Sequence, residues 1–224
     1  MLLFVKYLYT VEYYRYNNFL VNKNIEIEIR GSLTKEKFND LVRLFESKAK
    51  KIAVKDRVLI DYSTFLKGGI KNRDTDIRLR VTNGMPEIIV KVGKWGSNEQ
   101  RKELSVFAKP GEFDTLVQIF STMGFSKGML CVRKSKVYKY KNIEFALVEV
   151  PGHSYYFEAE KMAHEKEKAD KIIETIKNVC RDLKLETFTK KEFFEYVEKL
   201  NQEANEIFDY KSYTPNYFKN RFRL

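Results

Sequence analysis

The sequence predicts an α+β fold: an antiparallel β-barrel of about eight strands around a polar lumen, with helices packed outside and a helical extension at the C-terminal end. Three observations carry this. Apolar and charged residues alternate in one short stretch after another, the period-two pattern of strands. The charges fall in pairs on several of these strands, so the face they share encloses something polar, as in a closed barrel. Beyond Met162 the period changes to that of amphipathic helices.

Residues 1–21 are apolar and aromatic but interrupted by Lys6, Glu12 and Arg15, and they match neither a transmembrane span nor a signal peptide. They read as an N-terminal extension. From Asn24 to Arg30 the alternation is strict, with Glu26, Glu28 and Arg30 on one face and Ile25, Ile27 and Ile29 on the other. At ~3.3 Å per residue the two carboxylates lie roughly 6–7 Å apart. One such strand is equally an edge strand with a solvated face; the recurrence of the pattern points inward. Gly31-Ser32 leads to a helix from about residue 34 to 50. Thr34 is its N-cap, and Phe38, Leu41, Val42 and Phe45 form an apolar stripe that can cover the isoleucine face.

A strand is expected at 54–62, then a loop over 65–73 containing Gly68-Gly69. Two strands follow, at 75–81 with Arg78 and Arg80 on one face, and at 87–93 with Lys91; Asn83-Gly84 between them is a hairpin signal. Residues 94–100 read as a loop carrying Trp95, the only tryptophan. The next strand, 101–107, puts Arg101, Glu103 and Ser105 on one face. A helix over 112–123 carries Phe113, Leu116, Val117 and Phe120 at helical spacing, and Gly124 ends it. Three strands come next, at 129–140, 143–150 and 155–161, turning at Lys141-Asn142 and Pro151-Gly152. The last contains Glu158-x-Glu160.

The C-terminal part holds one amphipathic helix through Ala169, Ile172, Ile176, Val179 and Leu183, then a second one opened by a capping box at Thr189 and Glu192. The tail from Tyr210 to Leu224 is basic and aromatic. It reads as a loosely held terminus, with a nucleic-acid contact as the alternative.

Composition narrows the chemistry. With 224 residues, 43% hydrophobic and 14% aromatic, the chain can bury a sizeable core. A net charge of +11 favours an anionic partner. Two cysteines, Cys131 and Cys180, suggest no disulfide framework, which fits a reduced, cytoplasmic setting. Nucleophile-elbow, P-loop and Cys-x-x-Cys motifs are absent from the sequence. Metal ligands, if any, must be carboxylates, which select hard cations such as Mg2+ or Mn2+.

Taken in order, Glu26-x-Glu28-x-Arg30, Arg78-x-Arg80, Lys91, Arg101-x-Glu103, Arg133 and Glu158-x-Glu160 resemble the CYTH domain, the triphosphate tunnel metalloenzymes that include class IV adenylyl cyclases, thiamine triphosphatases and inorganic triphosphatases. The resemblance covers roughly residues 24 to 162. It implies an eight-stranded antiparallel tunnel domain over 22–162 and an extension with a basic tail over 163–224. It also implies a divalent metal, Mg2+ or Mn2+, on Glu26, Glu28, Glu158 and Glu160, and a triphosphate on Arg30, Arg78, Arg80, Lys91, Arg133 and Lys136. Glu28, Lys91 and Glu158 take the catalytic roles, with Glu103 supporting them from behind. The implied partner is tripolyphosphate, thiamine triphosphate or ATP, bound by a monomer or homodimer; no membrane partner is implied and nucleic acid is disfavoured. The implied activity is hydrolysis, the alternatives being cyclisation of ATP and non-catalytic polyphosphate binding. Because no nucleoside-binding constellation stands out, orthophosphate is the expected product, with tripolyphosphate at least as good a substrate as ATP. Two positions depart from the family pattern: Val148 stands where an Asp is usual, and Ser135 where a basic residue is common.

Overall fold

The computed structural model describes residues 25–67, 69–70, 73–96, 98–163 and 169–224. The N-terminal extension expected at 1–21 lies outside them. Strand β1 is Ile25–Leu33, followed by helix α1 (Lys35–Lys48), β2 (Lys50–Asp61) and a short 3-10 turn, Ser63–Phe65. Then come β3 (Thr75–Thr82), β4 (Met85–Val92), β5 (Asn98–Phe107), α2 (Phe113–Thr122), β6 (Lys127–Tyr140), β7 (Ile143–Val150) and β8 (Ser154–Ala163). The chain ends with α3 (Ala169–Asp182), α4 (Lys190–Glu203), β9 (Glu206–Asp209), a 3-10 turn and α5 (Tyr217–Phe222).

The strands run in the order β2-β3-β4-β5-β1-β8-β7-β6, and β2 pairs with β6 to close the ring. Every pairing is antiparallel. The expected antiparallel tunnel with helices outside is therefore the observed fold. Two tight hairpins set the register. Asn83 and Gly84 have φ of 49° and 81°, and Lys141 and Asn142 have 48° and 61°; two successive positive φ values match the twist of the flanking strands.

Alternation divides the barrel into a polar inside and an apolar outside. On one outer flank Ile27, Ile29, Phe145, Leu147 and Phe157 pack against Phe38, Leu41 and Phe45 of α1 and Ile172 and Ile176 of α3. On another, Val58, Ile60, Leu79 and Val81 pack against Phe113, Val117 and Phe120 of α2. Each such side chain contributes ~1.5–3 kcal/mol on burial, so these two outer cores hold the barrel while its lumen stays charged.

Several boundaries differ from the sequence expectation. β1 continues through Gly31-Ser32 to Leu33, and β2 begins at Lys50, before the expected 54. The early part of β2 carries a bulge between Lys51 and Ala53 and is largely exposed, which blurs its alternation. The tail is not loose. Asp114, buried in the first turn of α2, accepts hydrogen bonds from the Tyr213 hydroxyl (2.8 Å), Phe218 N (3.2 Å) and Lys219 N (3.0 Å). Phe218 is fully buried against Phe113 and Phe208, and β9 pairs with the start of β6. The aromatic residues that made the tail resemble a nucleic-acid contact are largely engaged in this packing. No helix among the described residues is long and apolar enough to cross a membrane.

The segment between α3 and α4 lies tight on β1. A Cβ on Gly31 would come within 2.0 Å of the Glu186 carbonyl oxygen, so only glycine fits there. Phe188 N donates to the Arg30 carbonyl at 2.8 Å. These two contacts carry the chain to α4, beside one end of the tunnel.

Candidate functional site

A polar cavity of about 710 Å³, its open mouth included, occupies the lumen. Its charged lining comes from alternate residues of facing strands: Glu26, Glu28 and Arg30 on β1, Lys55 and Arg57 on β2, Arg78 and Arg80 on β3, Lys91 on β4, Glu103 on β5, Glu144 on β7, and Glu158 and Glu160 on β8. The apolar residues between them face the outer cores. One register shift of any strand would exchange the two sets, which is why the register matters to the site.

Carboxylates gather on one side. Register sets Glu28 beside Glu160, and Glu160 beside Glu144. Glu26, Glu28 and Glu160 each offer an oxygen, all within 4.8 Å of one another. Burial, together with Glu26 and Glu144, pushes the Glu160 carboxyl up to about 8. Burial works the same way on Glu26, but the Lys91 ammonium together with Arg30 and Glu28 holds Glu26 below the usual carboxylate range. Crowded carboxylates with one member driven toward its neutral form are what an added cation relieves.

Cations face this cluster. Lys91 Nζ lies 2.9 Å from Glu26 Oε1 and 3.1 Å from Glu103 Oε2. Although burial disfavours its charge, Glu28, Glu26 and Glu103 raise the Lys91 pKa. Arg30 bridges Glu28 (2.7 Å) and Glu158 (3.2 Å). Arg80 Nε donates to Glu87 at 2.6 Å. Below them Asp76, 1% exposed, gathers three guanidinium groups: Arg78, Arg101 at 2.9 Å and Arg73 at 3.4 Å. Burial opposes its charge, but the three arginines hold the Asp76 carboxyl far below the usual range.

The structure brings most of the sequence-predicted residues together. Glu26, Glu28 and Glu160 form the cluster, while Glu158 is turned to Arg30. Arg30, Arg78, Arg80 and Lys91 share the cavity, and Glu103 supports Lys91. Arg133 lies outside this cavity's lining and donates to Asn205 Oδ1 at 2.8 Å. Lys136 requires a correction. It is out of phase with Val137, which lines this cavity, and in phase with Tyr138, which packs outside against Phe45. Strand alternation thus sets Lys136 on the outer face. Val148 faces inward, paired with Ser135 on one side and Tyr156 on the other.

Sequence reasoning missed Lys55, Arg57, Asp76, Glu87 and Glu144. Counting in twos from Arg78 and Lys91 reaches Asp76 and Glu87. Glu144 stands four residues before Val148 on the same face. Lys55 and Arg57 were hidden because Asp56 between them also carries charge and spoils the alternation.

A second chamber adjoins the first, also about 710 Å³, and shares Arg30, Arg78 and Glu158 in its wall. Its other walls are largely aromatic: Trp95, Tyr156, Phe188, Phe193 and Tyr196, with Asn201 of α4 and Asn205 just beyond its end. Helix α4 is tied across this end by Tyr196, whose hydroxyl meets Ser154 Oγ at 2.9 Å, and by Glu203, 2.9 Å from His153 Nε2.

No family model matches the sequence, and no curated protein matches it. Solved structures do share the fold. The PH1819 protein of Pyrococcus horikoshii is 20% identical with a TM-score of 0.62, covering 78% of this chain and 98% of its own. A candidate adenylate cyclase from Vibrio parahaemolyticus is 12% identical with a TM-score of 0.56, over 76% of this chain and 98% of its own. A candidate adenylyl cyclase from Hippeastrum, described as having a dominant triphosphatase activity, is 10% identical with a TM-score of 0.50, over 78% and 96%. The resemblance seen in the sequence motifs thus extends to the fold.

Proposed function

We propose that the tunnel binds a triphosphate together with a divalent cation and hydrolyses it. The observation that carries this reading is the division of one cavity into a carboxylate cluster, Glu26, Glu28 and Glu160, and a facing set of cations, Arg30, Arg78, Arg80 and Lys91. A triphosphate carries about four negative charges and enters a low-dielectric lumen only where they are matched. Arginine forks suit its non-bridging oxygens. In this reading residues 22–162 are the tunnel domain, and residues 163–224 form an extension across one end.

The donor set fits a hard cation, Mg2+ or Mn2+, because only carboxylate oxygens converge. When bound, such an ion supplies charge neutralisation and Lewis acidity at the phosphate. Arg30, Arg78 and Arg80 orient the phosphates and offset their charge. Lys91, kept charged by its glutamates, stabilises negative charge building on a departing phosphate oxygen. Glu158 stays ionised beside Arg30 although burial opposes its charge. In this reading it takes the proton of the water that attacks the terminal phosphorus.

The aromatic chamber supports a second reading of the substrate. Its rings and the side-chain amides of Asn201 and Asn205 suit a flat organic group attached to the phosphates. That favours an organic triphosphate over tripolyphosphate, against the expectation from sequence. Cyclisation asks for more, because the ribose must be held in line with the α-phosphorus and a misplacement of ~1 Å costs on the order of 100-fold in rate. The expected result with Mn2+ and a panel of tripolyphosphate, thiamine triphosphate and ATP is release of orthophosphate. Cyclic AMP with equimolar pyrophosphate would replace this reading with a cyclase; turnover of none of them, with tight binding kept, would leave a polyphosphate-binding protein.

A further inference from the structure

The lumen's charges are matched almost one for one. Lys91 has Glu26 and Glu103, Arg30 has Glu28 and Glu158, Arg80 has Glu87, and Asp76 serves Arg73, Arg78 and Arg101. The wall made by β2 and β6 breaks the rule. Lys55 and Arg57 both line the cavity, two residues apart on the inner face of β2. Among the described residues neither side chain has an ion-pair or hydrogen-bond partner. Arg57 Nε is buried with no acceptor. Register sets Lys55 opposite Ser135, which is 5% exposed and whose Oγ is also buried without a partner. Two buried unsatisfied polar atoms, Arg57 Nε and Ser135 Oγ, therefore adjoin, on one wall, an ammonium with no partner among the described residues.

Their electrostatics agree. Burial and the nearby Arg80 push the Arg57 guanidinium below its ordinary pKa. Burial, Arg57 and Arg80 do the same to Lys55, and Glu144 and Glu160 offset this only in part. Folding thus holds like charges together in a buried wall, and Glu144 and Glu160 at Lys55 and Glu158 and Glu87 at Arg57 offset the cost only in part. Unsatisfied buried donors in a native structure call for a partner.

We propose that Lys55, Arg57 and Ser135 form an anion subsite on the β2–β6 wall, which takes one phosphoryl group of the bound triphosphate. The inference rests on the triphosphate reading above. A phosphoryl group suits the wall because its several oxygens accept at once from an ammonium, a guanidinium fork and a hydroxyl. The subsite shares the cavity with the carboxylate cluster but uses none of its carboxylates.

The test replaces both cations by methionine, Lys55→Met with Arg57→Met, which keeps chain length and removes charge. Tripolyphosphate binding in the presence of Mn2+ is measured by calorimetry, and the melting temperature is measured with and without ligand. The expected affinity loss is about tenfold or more per charge, with Mn2+ affinity not weakened and a ligand-free melting temperature equal to or above wild type. Ser135→Ala, a milder change, lowers tripolyphosphate affinity several-fold. Undiminished affinity in the double variant overturns the subsite while leaving the triphosphate reading intact. A ligand-free melting temperature several degrees below wild type also overturns it, by giving the pair a structural role. Failure of the wild type to bind tripolyphosphate overturns the underlying reading and the subsite with it.

Discussion

Glu28→Gln lowers the affinity for Mn2+ by at least ~100-fold and leaves the barrel folded. Glu28 is 2% exposed and sits at the centre of the carboxylate cluster, beside Glu160 in register and 2.7 Å from Arg30. Glutamine keeps the volume and one oxygen but loses the charge that a hard cation needs. Calorimetric titration of the two proteins measures the difference, and equal affinities would remove Glu28 from the site. The same titration has a pH signature. Burial with Glu26 and Glu144 raises Glu160 to about 8, so below that pH a proton must leave before the ion binds. Mn2+ affinity therefore falls about tenfold for each pH unit below 8 and is flat above it. Stability without metal moves the other way. A carboxyl whose folded pKa is raised above its unfolded one binds more protons in the folded state, so stability declines as pH rises from the ordinary glutamate value of 4.5 to about 8.

Asp76→Ala destabilises the protein by ~3–5 kcal/mol, the scale expected when one partner of a buried ion pair is deleted. Asp76 is the common acceptor for Arg73, Arg78 and Arg101, and the side chains of Arg73 and Arg101 are each only 2% exposed. Without it three guanidinium groups face one another at the base of the lumen. Asp61 accepts from Arg73 at 2.9 Å and cannot serve all three. Urea denaturation reads the effect as a shift of the midpoint at constant slope. A loss below ~1 kcal/mol would mean that water or relaxation screens the arginines. The position also bears on phosphate binding, because Asp76 fixes where Arg78 points.

The barrel was legible because its strands carry one buried face each. Ile25, Ile27 and Ile29 against Glu26, Glu28 and Arg30 name both the strand and its inner side, and Asn83-Gly84 fixes the neighbouring hairpin. The candidate site was legible where two like charges fall at period two, as in Arg78-x-Arg80 and Glu158-x-Glu160. It was illegible where a lone charge faces inward, as Glu144 and Glu87 do, or where charge also occupies the outer position, as at Asp56 between Lys55 and Arg57. Lys136 was misassigned for a related reason: Lys134 and Lys136 flank Ser135, and only the packing of Tyr138 on Phe45 fixes which parity faces out. The aromatic chamber could not be read at all. Trp95, Tyr156 and Phe193 are far apart in sequence, and they meet only because the chain over Gly31 carries α4 to that end of the tunnel.

The central claim is that one lumen holds a divalent cation on its carboxylate side and a triphosphate on its cationic side. A crystal structure grown with Mn2+ and tripolyphosphate tests it most directly, using the anomalous signal of manganese. The account predicts a manganese peak among the carboxylates of Glu26, Glu28 and Glu160, with phosphate oxygens bonded to Arg30, Arg78 and Arg80. Manganese bound elsewhere, or a lumen free of phosphate at saturating ligand, would contradict it.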